Sequence, residues 1–346
     1  MPPDHATVVR DQAIPDVLPG ADEVSFLLSG VKARLGARWR SGSELLDEMC
    51  EHALSPPGKL FRPVLLLESA RALGGDVQLV LPAAVGAESG HVASLVHDDI
   101  IDDDDLRRGK PSVQHAFGVG DAIVAGDALI FDLFASLAEC RKTGVPAERI
   151  VSALDVVSHC GIDLCRGQSM ESELCRRLDF DAESYLTMVR LKTGALFKAS
   201  CECGAILAGG ADHDVKALGD FAENLGAAFQ IHDDLLPYTG DTASIGKSVL
   251  SDLNNGRLTL PVILAHDRSD TAGRRTIERN LVGAGDPLVR WRTLVAIVNR
   301  TGGLAAAKAS ARQFIDDAIA ALRVLPPSPS RDRLASFAEA AIERER

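Results

Sequence analysis

Aromatic residues are scarce in this chain, 4% of 346, and basic residues are outnumbered: 37 Lys and Arg against 49 Asp and Glu give a formal charge of −12. A protein that grips a nucleic-acid backbone needs a basic face, so no nucleic acid is expected as a partner, and any basic residues that matter must be few and clustered. Seven cysteines, at 50, 140, 160, 165, 175, 201 and 203, include no Cys-x-x-Cys pair. An odd number without zinc spacing reads as reduced thiols, the pattern of a cytoplasmic protein. The first twenty residues carry Pro2, Pro3, Pro15 and Pro19 but no apolar core, so residues 1–20 read as a disordered lead-in and not as a signal peptide. No unbroken apolar run of about eighteen residues occurs, so no transmembrane segment is expected. Strand alternation, low-complexity tracts and a clear domain linker are missing as well.

What is present favours helices. The content is 46% hydrophobic and rich in Ala and Leu, enough to bury a large core. Val24, Leu27, Leu28, Val31 and Leu35 recur at helical spacing and predict a first amphipathic helix over 22–39. Others are expected over 44–54, 82–102, 120–140, from Pro146 to about Leu174, and over 182–207. An all-α fold is expected, and the length allows one large domain or two ordinary ones.

The densest chemistry lies in residues 97–109, His-Asp-Asp-Ile-Ile-Asp-Asp-Asp-Asp-Leu-Arg-Arg-Gly. On a helix Asp98 and Asp102 stand one turn apart on one face, and two such carboxylates repel unless a cation lies between them. Oxygen-only ligands suit a hard ion such as Mg²⁺, which takes one or two carboxylates and fills its other positions with water and phosphate. The planar forks of Arg107 and Arg108 match phosphate oxygens. An aspartate run is ordinarily a solvated loop, but this one closes an apolar helix and ends in Arg-Arg-Gly. It lacks the Gly and Glu positions of an EF-hand loop.

Further along, Gly58-Lys59-Leu60-Phe61-Arg62-Pro63 opens a helix where backbone N–H groups favour an anion, although two exposed bases at a cap would look the same. Ile231-His232-Asp233-Asp234-Leu235-Leu236 echoes Val96 to Ile101, so two acidic helix ends could face each other across a bundle. Lys192-Thr193 lies in an apolar helix, where a lone Lys usually snorkels. Residues 238–257, with Gly246-Lys247 and Gly256-Arg257, form a polar loop able to close over a charged ligand.

Together these pieces resemble the trans-isoprenyl diphosphate synthase family from about Asp22 to Glu339. Asp98-Asp99-Ile100-Ile101-Asp102, four residues, then Arg107-Arg108-Gly109 fits the first aspartate-rich motif of that family without a gap. The Gly-Lys-x-x-Arg-Pro segment, His91, Gln168, Lys192-Thr193, Gln230, Asp233-Asp234 and Gly246-Lys247 follow in the family's order. The resemblance implies a large single-domain helical bundle around a central cavity, spanning residues 21–346, and a Mg²⁺-dependent prenyltransferase that joins isopentenyl diphosphate to an allylic diphosphate. It implies that Lys59, Arg62, His91 and Arg108 hold the former, that Arg107, Lys192, Lys247 and Arg257 hold the latter, and that Asp98, Asp102, Asp233 and Asp234 serve about three Mg²⁺ ions. Lys192, Thr193 and Gln230 would face the reacting carbon, and a homodimer is implied.

Two positions depart from the pattern: Pro237 stands where the second motif ends in Asp, and Arg257 where Lys is usual. Activity with weaker Mg²⁺ binding is expected, and Pro237→Asp should lower the Mg²⁺ requirement in a metal titration. The same loss would suit a weakly active partner subunit or a class I terpene cyclase. The His97-Asp98 and His232-Asp233 pairs leave an HD-type phosphohydrolase as a remote rival that gives Lys59, Arg62 and Arg107-Arg108 no task. The helix below Asp98 offers Ser94, Ala93, Gly90 and Ala87, none bulky, which predicts a product of geranylgeranyl length or longer, with Phe131 or Phe134 as the stop.

Overall fold

The computed structural model describes residues 21–40, 44–239, 253 and 256–343. The expected lead-in 1–20 and Lys247 lie outside them. Fifteen α-helices, one π-helical turn, a 3₁₀ turn and a two-stranded ribbon make up the described residues. In chain order the helices are α1 (Ala21–Arg38), α2 (Leu45–Leu54), α3 (Phe61–Ala72), α4 (Val77–Asp102), α5 (Val113–Phe117), α6 (Val119–Thr143), α7 (Ala147–Arg177), α8 (Ala182–Val189), α9 (Ala195–Ala208) and α10 (Asp212–Thr239), then α11 (Leu260–Asp267), α12 (Thr271–Val282), α13 (Pro287–Arg300), α14 (Gly303–Ala321) and α15 (Pro329–Glu343). Strands β1 (Leu106–Arg107) and β2 (Lys110–Pro111) pair antiparallel.

The all-α fold expected from the composition is the fold observed. Helix α4 packs chiefly on α6, α3 on α9, and α10 on α14. It starts earlier than the sequence suggested, because the Asp76 side chain accepts from Gln78 N and caps the first turn, leaving Pro82 inside the helix. By length and hydropathy α4 could cross a bilayer, although it holds no unbroken apolar run of that length; 67% of its most apolar window is buried inside the bundle. Helices α1 and α15 are tied to α3. Glu68, 1% exposed, forms an ion pair with Arg333 Nε of α15 at 3.0 Å, and Arg333 also reaches Glu23 of α1 at 3.3 Å. A buried pair of this kind loses about 3–5 kcal/mol when one partner is removed, whereas an exposed pair such as Arg312–Glu339 contributes at most about 1 kcal/mol.

Candidate active site

The last turn of α4 carries Asp98 and Asp102, both half-buried and stacked as the helical spacing requires. Burial pushes the Asp98 carboxyl up; Lys192 opposes this, and the Asp102 and Glu171 carboxylates add to the rise. Asp99 points elsewhere. It is 2% exposed and accepts from Arg107 Nε at 2.7 Å, which anchors Arg107 beside the acidic helix end. Arg107 pairs in register with Lys110, so Arg108 and Gly109 form a two-residue hairpin turn with φ of 53° and 77°. A turn of that type needs positive φ at both central residues, which explains the glycine after the two arginines and the short ribbon that sequence periodicity did not reveal. Left-handed backbone at a non-glycine residue gathers at functional sites. Of the four such residues described, Leu60, Asp103 and Arg108 lie here.

That turn brings distant cations together. Arg108 Nη1 donates to Pro56 O at 2.9 Å, and the guanidinium covers Gly58, where a Cβ would strike it. Leu60, with φ 55°, turns the chain into α3 and sets Arg62 above the Phe197 ring, 4.6 Å from its centroid. Arg62 Nε, His91 Nδ1 and Glu88 Oε2 are buried without hydrogen-bond partners. Buried polar atoms are nearly always paired, so three orphans in one neighbourhood mark a place for a polar ligand. Burial, then Arg62, Arg108 and Arg107, hold the His91 imidazole well below its ordinary pKa and therefore neutral.

The facing wall is built around a π-helical turn, Arg190–Gly194, between α8 and α9. A π turn widens the helix and is common at functional sites. Lys192 donates to Glu171 Oε2 of α7 at 2.6 Å, while the next residue, Thr193, donates to Gln230 Oε1 of α10 at 2.8 Å. Both approaches need glycine. A Cβ at Gly167 would collide with the Lys192 backbone N, and one at Gly226 would lie 2.7 Å from Gly194 Cα. Gln230 Nε2 then donates to Asp234 Oδ1 at 3.0 Å, and the buried Tyr185 hydroxyl donates to Asp234 Oδ2 at 2.6 Å. Burial drives the Asp234 carboxyl up to about 7 against these two hydrogen bonds. Arg257 joins the walls: its Nη2 lies 3.0 Å from both Asp102 oxygens and its Nε 3.6 Å from Glu171.

Most of the residues expected to act together therefore converge. Asp98, Asp102, Arg107, Lys192 and Arg257 form one acid–base cluster, Thr193 and Gln230 touch, and Arg62, His91 and Arg108 form a second, cationic group. Asp234 accepts from Tyr185 and Gln230, one hydrogen bond on each oxygen, which anchors its carboxyl group. Three expectations change. Ala93 is buried in a cluster with Cys50 and Leu129 against α2 and α6. The apolar cavity below the site is lined instead by Ala83, Ala87 and Gly90 of α4, with Leu133, Leu137 and Val157 opposite; Ser94 lies above it, its hydroxyl on His91 O. Phe131 is 71% exposed, and Phe134 is not among the residues that line the cavity. A single Tyr on a helix face carries no local signal, so Tyr185 has none in the sequence, and Glu171, beside Gln168 on the expected helix, gains its role only from the contact with Lys192.

The donor set suits a hard divalent ion: all oxygen, at most two carboxylates on a wall, and neighbouring arginines to receive phosphate. Among the described residues no group of three His, Cys, Asp or Glu side chains is gathered as a metal cage. Mg²⁺ does not need one, since it commonly keeps water and substrate phosphate as ligands.

The fold and the site define an all-α enzyme of diphosphate chemistry. A sequence model of the polyprenyl synthetase family matches residues 43–287, and the chain belongs to that family. It is a trans-prenyltransferase. It is 37% identical over 302 residues to a short chain isoprenyl diphosphate synthase of Methanothermobacter thermautotrophicus, covering 87% of this chain and 91% of the other. A geranylgeranyl pyrophosphate synthetase from Pyrococcus horikoshii superposes with a TM-score of 0.85 at 32% identity, over 93% of this chain and 98% of that one. A polyprenyl synthase from Caulobacter crescentus, solved with calcium and isoprenyl diphosphate, gives 0.84 at 29% identity, over 97% and 100%. Members of the family use Mg²⁺ to bind diphosphate.

Proposed function

We propose that the protein joins isopentenyl diphosphate to an allylic diphosphate and releases a trans-polyprenyl diphosphate of geranylgeranyl length or longer. The observation that carries this reading is the meeting of the Gly58–Arg62 segment with Arg108 around buried polar atoms that lack partners, beside a separate acid–base cluster at the end of α4. Two anion pockets side by side suit two diphosphates, and a cyclase would leave the first without a task. Lys59, Arg62, His91 and Arg108 would hold isopentenyl diphosphate. Arg107, Lys192, Arg257 and, from its motif alone, Lys247 would hold the allylic partner. Asp98, Asp102 and Asp233 would hold Mg²⁺, expected as three ions, whose positive charge favours departure of the diphosphate.

On ionisation the allylic C–O bond breaks and its electron pair leaves with the diphosphate, whose growing charge Arg107, Lys192 and Arg257 oppose. Thr193 Oγ1 and the Gln230 carbonyl face the resulting cation with dipoles and no nucleophile that would trap it. The isopentenyl double bond attacks, and the proton lost goes to the departed diphosphate. The growing chain descends past Ser94, Gly90 and Ala87 toward Leu133, Leu137 and Val157. The exposed Ile123, Val124 and Phe131 of α6 support pairing with a second copy. The seven unpaired cysteines support a reducing, cytoplasmic setting.

The test is incubation of the purified chain with isopentenyl diphosphate, each of three allylic primers and Mg²⁺, with products identified by mass before and after phosphatase. Chain-extended diphosphates are expected. Phosphate release without chain growth, or a hydrocarbon formed with no isopentenyl diphosphate consumed, would overturn the reading.

A further inference from the structure

A primary amide has two chemically opposed ends, and Gln230 can serve a neighbouring carbocation with only one of them. Its carbonyl oxygen would stabilise the positive charge and its NH₂ would oppose it. Rotating the amide exchanges the two with almost no change in shape, so something must fix the choice. In this structure Asp234 supplies the constraint: Gln230 Nε2 donates to its Oδ1 at 3.0 Å. Oε1 is thereby turned to Thr193, whose hydroxyl donates to it at 2.8 Å. The chain of contacts ends at Tyr185, 1% exposed, whose hydroxyl donates to the other Asp234 oxygen at 2.6 Å. A carboxylate so enclosed needs a donor on each oxygen to stay in place.

We infer that Tyr185 is a positioning residue for prenyl transfer: acting through Asp234, it sets which end of the Gln230 amide faces the reacting carbon. The inference rests on the proposed condensation and adds to it a residue that touches neither substrate. Without the Tyr185 hydroxyl, Asp234 turns away, and the amide samples both orientations. Ionisation then slows, while the groups that bind the two diphosphates stay where they were.

The test compares wild type, Tyr185→Phe, Asp234→Asn and the double variant in the full chain with Mg²⁺. It reads kcat, the KM for both substrates, and the affinity for an allylic thiolodiphosphate that binds but does not ionise. Tyr185→Phe should lower kcat about tenfold, leave both KM values and the analogue affinity within about twofold, and add nothing to the loss caused by Asp234→Asn. A wild-type kcat in Tyr185→Phe, a loss carried by KM or analogue binding, or additive losses in the double variant would each overturn the inference. If Tyr185→Phe does not fold, Asp234→Asn alone decides: it must lose kcat with analogue affinity kept, and loss of that affinity refutes the relay. A wild-type chain that forms no prenyl product would remove the condensation and this relay together, whereas an active wild type beside an unaltered Tyr185→Phe removes the relay alone.

Discussion

At the scale of single residues, burial next to Arg62, Arg108 and Arg107 has a consequence that can be titrated. The unfolded His91 imidazole takes a proton near its ordinary pKa of 6.5, and the folded one resists it to well below that. Below about pH 6.5 the unfolded state therefore binds the extra proton, and stability present above that pH falls by at most about 1.4 kcal/mol per pH unit. His91→Gln should flatten this part of the profile in denaturant midpoints measured from pH 7.5 to 5; an unchanged slope would show that His91 titrates normally. Ala87 offers a second check. Facing the cavity where Ala93 does not, it should shorten the product when replaced by Phe, read as a lower mass of the dephosphorylated alcohol. The carboxylates of α4 and the paired arginines were legible in the sequence because their chemistry is written in adjacent letters. The anchoring of Asp234 was not legible, because its partners Tyr185 and Gln230 come from another helix and another turn, and only the folded contacts bring them together.

At the scale of elements, the π turn decides the site. Sequence periodicity predicts one uninterrupted helix over 182–207, and the observed insertion of Arg190–Gly194 aims Lys192 at α7 and Thr193 at α10. No local residue announces it. Its cause is tertiary, the close approach permitted by Gly167 and by the Gly194–Gly226 contact. Two alanine substitutions in the same helix, α7, should therefore behave oppositely. Gly167→Ala should cost about 1–3 kcal/mol of unfolding free energy, because its methyl meets backbone that cannot yield. Gly161→Ala has open space and should gain about 0.5–1 kcal/mol by helix propensity. Urea midpoints read both; equal effects would mean that helix contact at 167 is looser than the structure indicates. The hairpin at Arg108–Gly109 makes a related point. A two-residue strand is too short for any alternating pattern, yet its turn chemistry was present in the letters Arg-Arg-Gly.

At the scale of the whole molecule, the all-α class and most helix positions followed from composition and 3.6-residue spacing, and the order of motifs anticipated the site. What composition could not supply was which helices touch. The α6 surface shows this: Ile123, Val124 and Phe131 belong to an apolar run that looks like core, but they face outward, Phe131 at 71% exposure. Phe131→Glu should shift the protein from dimer to monomer in light scattering; a monomeric wild type would end the proposal. The Arg257 bridge carries a last consequence. This one guanidinium pairs with Asp102 and lies near Glu171. On the proposed reading, filling the site is an exchange of partners, in which this guanidinium releases its carboxylates to the metal as it turns to the incoming phosphate.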